Sequence, residues 1–154
     1  MEIKPLKQFN KTVTVAPDKS ITHRAIMFNS IADGKATIEN ALMGDDCRAT
    51  IECMRALGAR IEVDGGVVTV FGTKRLNSAS LFVGNSGTTF RLLTGILAGA
   101  DGQFSIDGDA SIRRRPMKRV IEPLEKMGAD IKSFDGKAPI IIWAVFARCS
   151  RFLC

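Results

Sequence analysis

Two stretches of this 154-residue chain repeat one another in the same order. Lys19-Ser20-Ile21-Thr22-His23-Arg24, followed by apolar Ala25-Ile26-Met27-Phe28, has its counterpart in Asn85-Ser86-Gly87-Thr88-Thr89-Phe90-Arg91, followed by Leu92-Leu93, with Arg24 and Arg91 67 residues apart. Ala36-Thr37-Ile38-Glu39 then answers to Gln103-Phe104-Ser105-Ile106. Met54-Arg55-Ala56-Leu57-Gly58-Ala59 answers to Leu124-Glu125-Lys126-Met127-Gly128-Ala129 at an offset of 70, and Asp64-Gly65 to Asp135-Gly136 at 71. Ordered self-similarity at so long a period marks a duplicated supersecondary unit, so any acceptable fold must build the same small architecture twice.

The unit can be read from local chemistry. Thr12-Val13-Thr14-Val15 alternates and is β-branched, which predicts a strand. Ser20 to Ala32 is apolar at helical spacing, with Ser20 as the expected N-cap. Ala36 to Glu39 is a short strand. Asp46 to Leu57 reads as a second helix with Gly58 just past its end. Ala59–Val63 and Val67–Phe71 form a hairpin across Asp64-Gly65-Gly66. The second copy predicts a strand near Leu81, a helix from Gly87, a strand at Gln103–Asp107, a helix from Pro116 to Met127, and a hairpin at Asp135-Gly136. The order strand-helix-strand-helix-strand-strand, taken twice, gives an α/β fold with mixed sheets.

At Gly84-Asn85-Ser86-Gly87-Thr88-Thr89-Phe90-Arg91 a strand hands over to a helix through two glycines and small polar residues. A helix start offers unpaired N–H groups and a positive dipole end, and Arg91 adds a forked donor one turn on, so the segment reads as a phosphate or carboxylate cradle. Net charge is +6, with a local concentration at Arg113-Arg114-Arg115-Pro116-Met117-Lys118-Arg119, which suggests an anionic partner. No aromatic residue interrupts that run and the chain has no tyrosine, which argues against a nucleic-acid surface.

No apolar run has the length of a membrane span, and Met1-Glu2-Ile3-Lys4-Pro5 carries no apolar signal core. Cys47, Cys53, Cys149 and Cys154 show no metal spacing, so free thiols in a reducing cytoplasm are expected. His23, the only histidine, is read as structural, although its titration range would let it act near neutrality. Asp45-Asp46 precedes a helix and is expected to cap it rather than bind metal. Asp33-Gly34-Lys35-Ala36-Thr37 lacks the first glycine of a P-loop.

Three segments in order, Ala16-Pro17-Asp18-Lys19-Ser20-Ile21-Thr22-His23-Arg24, Gly84 to Arg91, and Gly108-Asp109-Ala110-Ser111-Ile112-Arg113-Arg114-Arg115-Pro116-Met117, resemble the N-terminal motifs of the 5-enolpyruvylshikimate-3-phosphate synthases. The pairing of Lys-Ser-x-x-x-Arg with Asn-x-Gly-Thr favours this family over the related UDP-N-acetylglucosamine enolpyruvyl transferases. The resemblance spans residues 1–142 and implies the enolpyruvyl transferase fold, an inside-out α/β barrel of six units in two domains. Two units would be present here, at about 12–71 and 80–142, plus a first strand that in the family belongs with the other domain. The implied reaction, in aromatic amino acid biosynthesis, transfers the enolpyruvyl group of phosphoenolpyruvate to the 5-hydroxyl of shikimate 3-phosphate. It proceeds through a tetrahedral intermediate, without metal or organic cofactor and typically without a protein partner.

Carried over by motif, Lys19 would contact both substrates and stabilise developing charge. Ser20 and Arg24 would hold shikimate 3-phosphate. Asn85, Gly87, Thr88 and Arg115 would hold phosphoenolpyruvate. Arg91 matches a motif arginine without an assigned ligand contact, and Arg113, Arg114, Lys118 and Arg119 are expected at the surface. Family members are more than twice this length, so the chain is expected to lack the opposite wall of the cleft and to be inactive alone. Residues 143–154, with the only tryptophan and half the cysteines, form an atypical tail, read either as the product of a frameshifted or truncated gene or as a native amphipathic terminus that covers exposed core. The competing reading is a non-catalytic module binding anions or RNA through residues 113–119, with a partner-recruiting fragment as a third.

Overall fold

The computed structural model describes residues 10 and 12–143. In the first unit, α1 (Lys19–Ile31) leads to β1 (Lys35–Ile38), α2 (Asp45–Ala56), β2 (Arg60–Asp64) and β3 (Val67–Phe71). In the second, β4 (Ala79–Phe82) leads to α3 (Gly87–Ala98), β5 (Gln103–Asp107), α4 (Ala110–Arg114), α5 (Lys118–Lys126), β6 (Asp130–Phe134) and β7 (Lys137–Trp143). One sheet runs β1-β3-β2, antiparallel throughout. The other runs β4-β5-β7-β6, with β4 and β5 parallel and the remaining pairs antiparallel.

The duplication is real down to its caps. After α2, Gly58 takes φ +106°, its N–H reaches Arg55 O, and the Ala59 N–H reaches Met54 O at 3.0 Å. After α5, Gly128 takes φ +102°, its N–H reaches Glu125 O, and the Ala129 N–H reaches Leu124 O at 2.9 Å. Both are the same two-bond closure of a helix by a left-handed glycine, which satisfies carbonyls the helix leaves open.

Three sequence expectations change. Thr12–Val15 is not a strand: it pairs with nothing among the described residues, and Val13 and Val15 are 64% and 72% exposed. Alternation sets a preference for extended backbone, but a strand exists only where a neighbour takes its N–H and C=O groups. The N-cap of α1 is Asp18, whose carboxylate accepts from the Ile21 N–H at 2.7 Å; Ser20 already lies inside the helix. The expected helix from Pro116 to Met127 starts instead at Lys118, after the short α4. Pro116 disfavours helical backbone at the residue before it, and Arg115 is accordingly extended at φ −79°, ψ 136°. The hydrogen bond from the Met117 N–H to Gly136 O then seats α5 on the β6–β7 turn. The other strands and helices fall within two residues of their expected bounds. Trp143 closes β7 opposite Gln103 and Asp130, and the rest of the expected tail lies outside the described residues.

The helices pack on one another between the sheets: α1 meets α2 and α3, α2 meets α3, and α3 meets α5. Ile26, Met27, Ile51, Met54, Leu57, Phe90, Leu93 and Leu97 fill that layer, each at most 2% exposed. Inward strand positions alternate as Val68 and Val70, Phe104 and Ile106, and Ile140 and Ile142, all fully buried. Close approach is tightest at Gly72, where an added methyl carbon would lie 1.9 Å from Ala32 O and 2.6 Å from Asn29 O. Gly95, on the exposed side of α3, has open space around it. Gly72→Ala is therefore expected to cost about 1–3 kcal/mol. Gly95→Ala is expected to add about 0.5–1 kcal/mol, because it removes a flexible residue from a helix interior. Urea denaturation of the two variants checks the opposite signs.

Candidate functional site

The starts of α1, α2 and α3 are tied together at one end of the helix layer, and each of the three sequence motifs reaches it. Lys19, the first residue of α1, places Nζ 2.8 Å from Asp46 Oδ2 in the first turn of α2. That hydrogen bond, reinforced by the carboxylate's charge, holds the Lys19 ammonium protonated above its ordinary range. The Asp46 backbone oxygen accepts from Thr89 Oγ1 of α3 at 3.3 Å. Contrary to expectation, Asp45-Asp46 does not cap α2: Gly44 is the N-cap, no side chain caps the helix, and both carboxylates lie inside its first turn, where they complement the dipole.

The α3 start forms as the glycine-rich segment predicts. Val83 is fully buried, Gly84 turns at φ +57°, and Ser86 caps the helix by accepting the Thr89 N–H at 3.2 Å. Asn85 is exposed, Thr88 half-buried and Gly87 buried. The third motif lies directly against this turn. The Asp109 N–H reaches Gly84 O at 2.9 Å, and Gly108 packs so closely that an added methyl carbon would lie 2.5 Å from the same oxygen. Asp109 caps α4 through Ser111 and Ile112. The extended backbone imposed by Pro116 follows, and the Arg115 side chain returns to the start of α3.

Two arginines meet at Gly87. A methyl carbon placed there would lie 2.8 Å from Arg115 Nη1 and 2.9 Å from Arg91 Nη1. Neither guanidinium has a carboxylate within ion-pair distance among the described residues. Two like charges beside the positive end of a helix dipole repel one another, and an anion seated at Gly87 relieves all three at once. Glycine is what leaves the room. The sequence predicts Arg91 as a donor at this helix start but not its meeting with Arg115.

The other predicted residues take mixed positions. Ser20 and Arg24 are exposed on α1, beside Lys19 in sequence, with no side-chain hydrogen bond to the Gly87 region. Of the basic run, Arg113 is bonded to Asp107, and Lys118 to Asp135, which also takes Lys137. The bond to Arg113 pulls the Asp107 carboxyl below its ordinary range. Two of the five cations are thus neutralised locally, which weakens the RNA-binding reading. Among the described residues no helix is long and apolar enough to cross a membrane. Cys47 and Cys53 are free and buried, and burial pushes the Cys53 thiol up to about 12.

His23 is fully buried and its Nδ1 lies 2.7 Å from Thr50 Oγ1, in line with the structural role expected. Burial lowers its pKa, with the nearby Asp46 opposing and Lys19 and Arg24 assisting. The unfolded chain takes up a proton that the folded chain refuses, so stability is complete above the ordinary histidine pKa and falls as pH drops through it. The melting temperature is expected to decline from about pH 7 to about pH 5.5, and His23→Asn is expected to flatten that part of the profile. Calorimetric scans across that range test it.

A family model for EPSP synthase (3-phosphoshikimate 1-carboxyvinyltransferase) matches residues 3–150. The 3-phosphoshikimate 1-carboxyvinyltransferase of Endomicrobium trichonymphae is 49% identical over 151 residues, covering 92% of this chain and 35% of that protein. Its counterpart from Gloeobacter violaceus is 45% identical over 159 residues, covering 98% and 37%. The solved EPSP synthase of Acinetobacter baumannii superposes with a TM-score of 0.79 at 40% identity, covering 86% of this chain and 32% of that one. The chain spans about a third of the length of the curated relatives it matches.

Proposed function

The chain belongs to the EPSP synthase family, and from that premise we propose that it supplies one wall of a site that transfers the enolpyruvyl group of phosphoenolpyruvate to the 5-hydroxyl of shikimate 3-phosphate. The observation that carries this reading is the meeting of Arg115 and Arg91 at Gly87, on the capped start of α3, with Lys19 tied through Asp46 to the same end. Both substrates are polyanions, and fixed cations with preorganised N–H donors are what a transition state gathering negative charge requires.

In this reading phosphoenolpyruvate lies against Asn85, Gly87 and Thr88, with its charge met by Arg115 and Lys19. Arg91 joins them as a second guanidinium on the same anion. Shikimate 3-phosphate lies along the α1 start, against Lys19, Ser20 and Arg24. Lys19 stands between the two and stabilises charge as the carbon–oxygen bond forms and phosphate leaves. Its hydrogen bond to Asp46 favours the ammonium form and sets where that charge sits. A reducing, cytoplasmic setting fits two buried unpaired thiols.

Isothermal titration of the chain with each substrate tests the assignment. Arg115→Ala is expected to weaken phosphoenolpyruvate about tenfold or more, the scale of a charge-assisted hydrogen bond, and to spare shikimate 3-phosphate. Lys19→Ala is expected to weaken both. Gly87→Ala pushes a methyl group into both guanidinium tips and should weaken phosphoenolpyruvate while leaving the melting temperature within a few degrees. Equal affinities in all three variants would overturn the reading. In a phosphate-release assay the 154-residue chain alone is expected to show no turnover; a normal rate would overturn the one-wall reading.

A further inference from the structure

A continuous line of buried side chains runs from the first motif to the cap of the second. His23 Nδ1 lies 2.7 Å from Thr50 Oγ1, Thr50 Oγ1 lies 2.8 Å from Thr89 Oγ1, and Thr89 Oγ1 lies 2.7 Å from Ser86 Oγ. All four residues are at most 1% exposed, and together they cross α1, α2 and the start of α3. Among the described residues the other acceptor in reach of the two threonine hydroxyls is Asp46 O, at the longer distances of 3.4 and 3.3 Å. His23 Nε2 is buried and has no hydrogen-bond partner among the described residues.

Each hydroxyl has one hydrogen to give, so the histidine tautomer decides which way Thr50 points. With the hydrogen on Nε2, a buried N–H is stranded and the Thr50 hydroxyl points toward Nδ1. With the hydrogen on Nδ1, only a lone pair is left unpaired at Nε2. The line then runs from Nδ1–H to Thr50 and from Thr50 to Thr89, whose own hydroxyl donates to Asp46 O while it accepts the Ser86 hydroxyl. An orphaned buried N–H is the rarer and costlier defect, which selects the second arrangement. In it Ser86 Oγ accepts the Thr89 N–H and donates to Thr89 Oγ1, so the cap is tied to the same hydroxyl that Thr50 holds.

We propose that His23 is a positioning residue: as the Nδ1–H tautomer it fixes a hydroxyl line through Thr50 to Thr89 that locks the Ser86 cap of α3, and so the Gly87 cradle, against α1. The proposal rests on reading Gly87 as part of a substrate-anion site. The groups around the imidazole are Asp46 on α2 and Lys19 and Arg24 on α1; burial dominates them and keeps the ring neutral.

Three measurements decide it. Because His23 is the chain's only histidine, a long-range ¹⁵N–¹H correlation spectrum contains a single imidazole. A protonated Nδ1 with a bare Nε2 is expected, and the reverse pattern or an imidazolium at neutral pH overturns the proposal. Amide exchange supplies a ligand-free readout at the cap. In His23→Leu the Thr89 amide should lose protection about tenfold relative to Leu93 in the same helix. His23→Asn, whose side-chain N–H can stand where Nδ1–H stands, should restore it to within about twofold, since the same donor is then supplied. Equal protection in the wild type and His23→Leu overturns the proposal. Phosphoenolpyruvate affinity should follow the same order, with Thr89→Val as weak as His23→Leu. If the tautomer and exchange results hold while the wild type fails to bind phosphoenolpyruvate, the substrate-site reading falls and the cap-locking role stands.

Discussion

Helix starts carry partial positive charge, and three of them packed side by side, with a lysine and two arginines added, would drive one another apart if nothing held them. Asp46 supplies much of what holds them. Its carboxylate, in the first turn of α2, takes Lys19 from the start of α1, and its backbone oxygen accepts from Thr89 at the start of α3. Behind it the hydroxyls of Thr50, Thr89 and Ser86 connect the same three helices inside the core. Cations can then gather at the surface because their scaffold is bound by polar contacts that water does not reach.

The duplicated unit explains why two such helix starts exist at all. Each copy builds a helix that opens on a short polar motif, a sheet that covers it, and a second helix closed by the same left-handed glycine. Packing the copies through their helices brings the opening motifs to one end. The copies are not equal there. The α1 start offers Lys19 and an acidic cap in Asp18, whereas the α3 start offers an uncharged cap, a bare glycine and two guanidinium groups. A single architecture thus presents two helix starts of different charge character.

Much was legible from residues alone. The glycine closure of α2, the start of α3 at Gly87 and the hairpin turns all depend on a few neighbouring residues, and local chemistry decides them. The sequence missed where local preference had to win a partner or was overruled. Thr12–Val15 has strand chemistry but no adjoining strand among the described residues, and Asp18 outcompetes Ser20 because its carboxylate reaches the Ile21 N–H from outside the helix. Pro116 was read as opening a helix, yet its larger effect is on Arg115, which it holds extended.

The sequence by itself determined the repeat, the class of fold and the residue types of an anion site, because these follow from periodicity, turn chemistry and charge. The tertiary structure alone decided which cations converge. Arg91 and Arg115 lie far apart in the chain and meet only because Gly108 packs on Gly84 and α4 ends where it does. It also decided that His23, placed within an exposed motif, turns inward to Thr50. A side chain's neighbours across the core depend on how helices pack, and packing is a property of the whole set of buried surfaces rather than of any one segment.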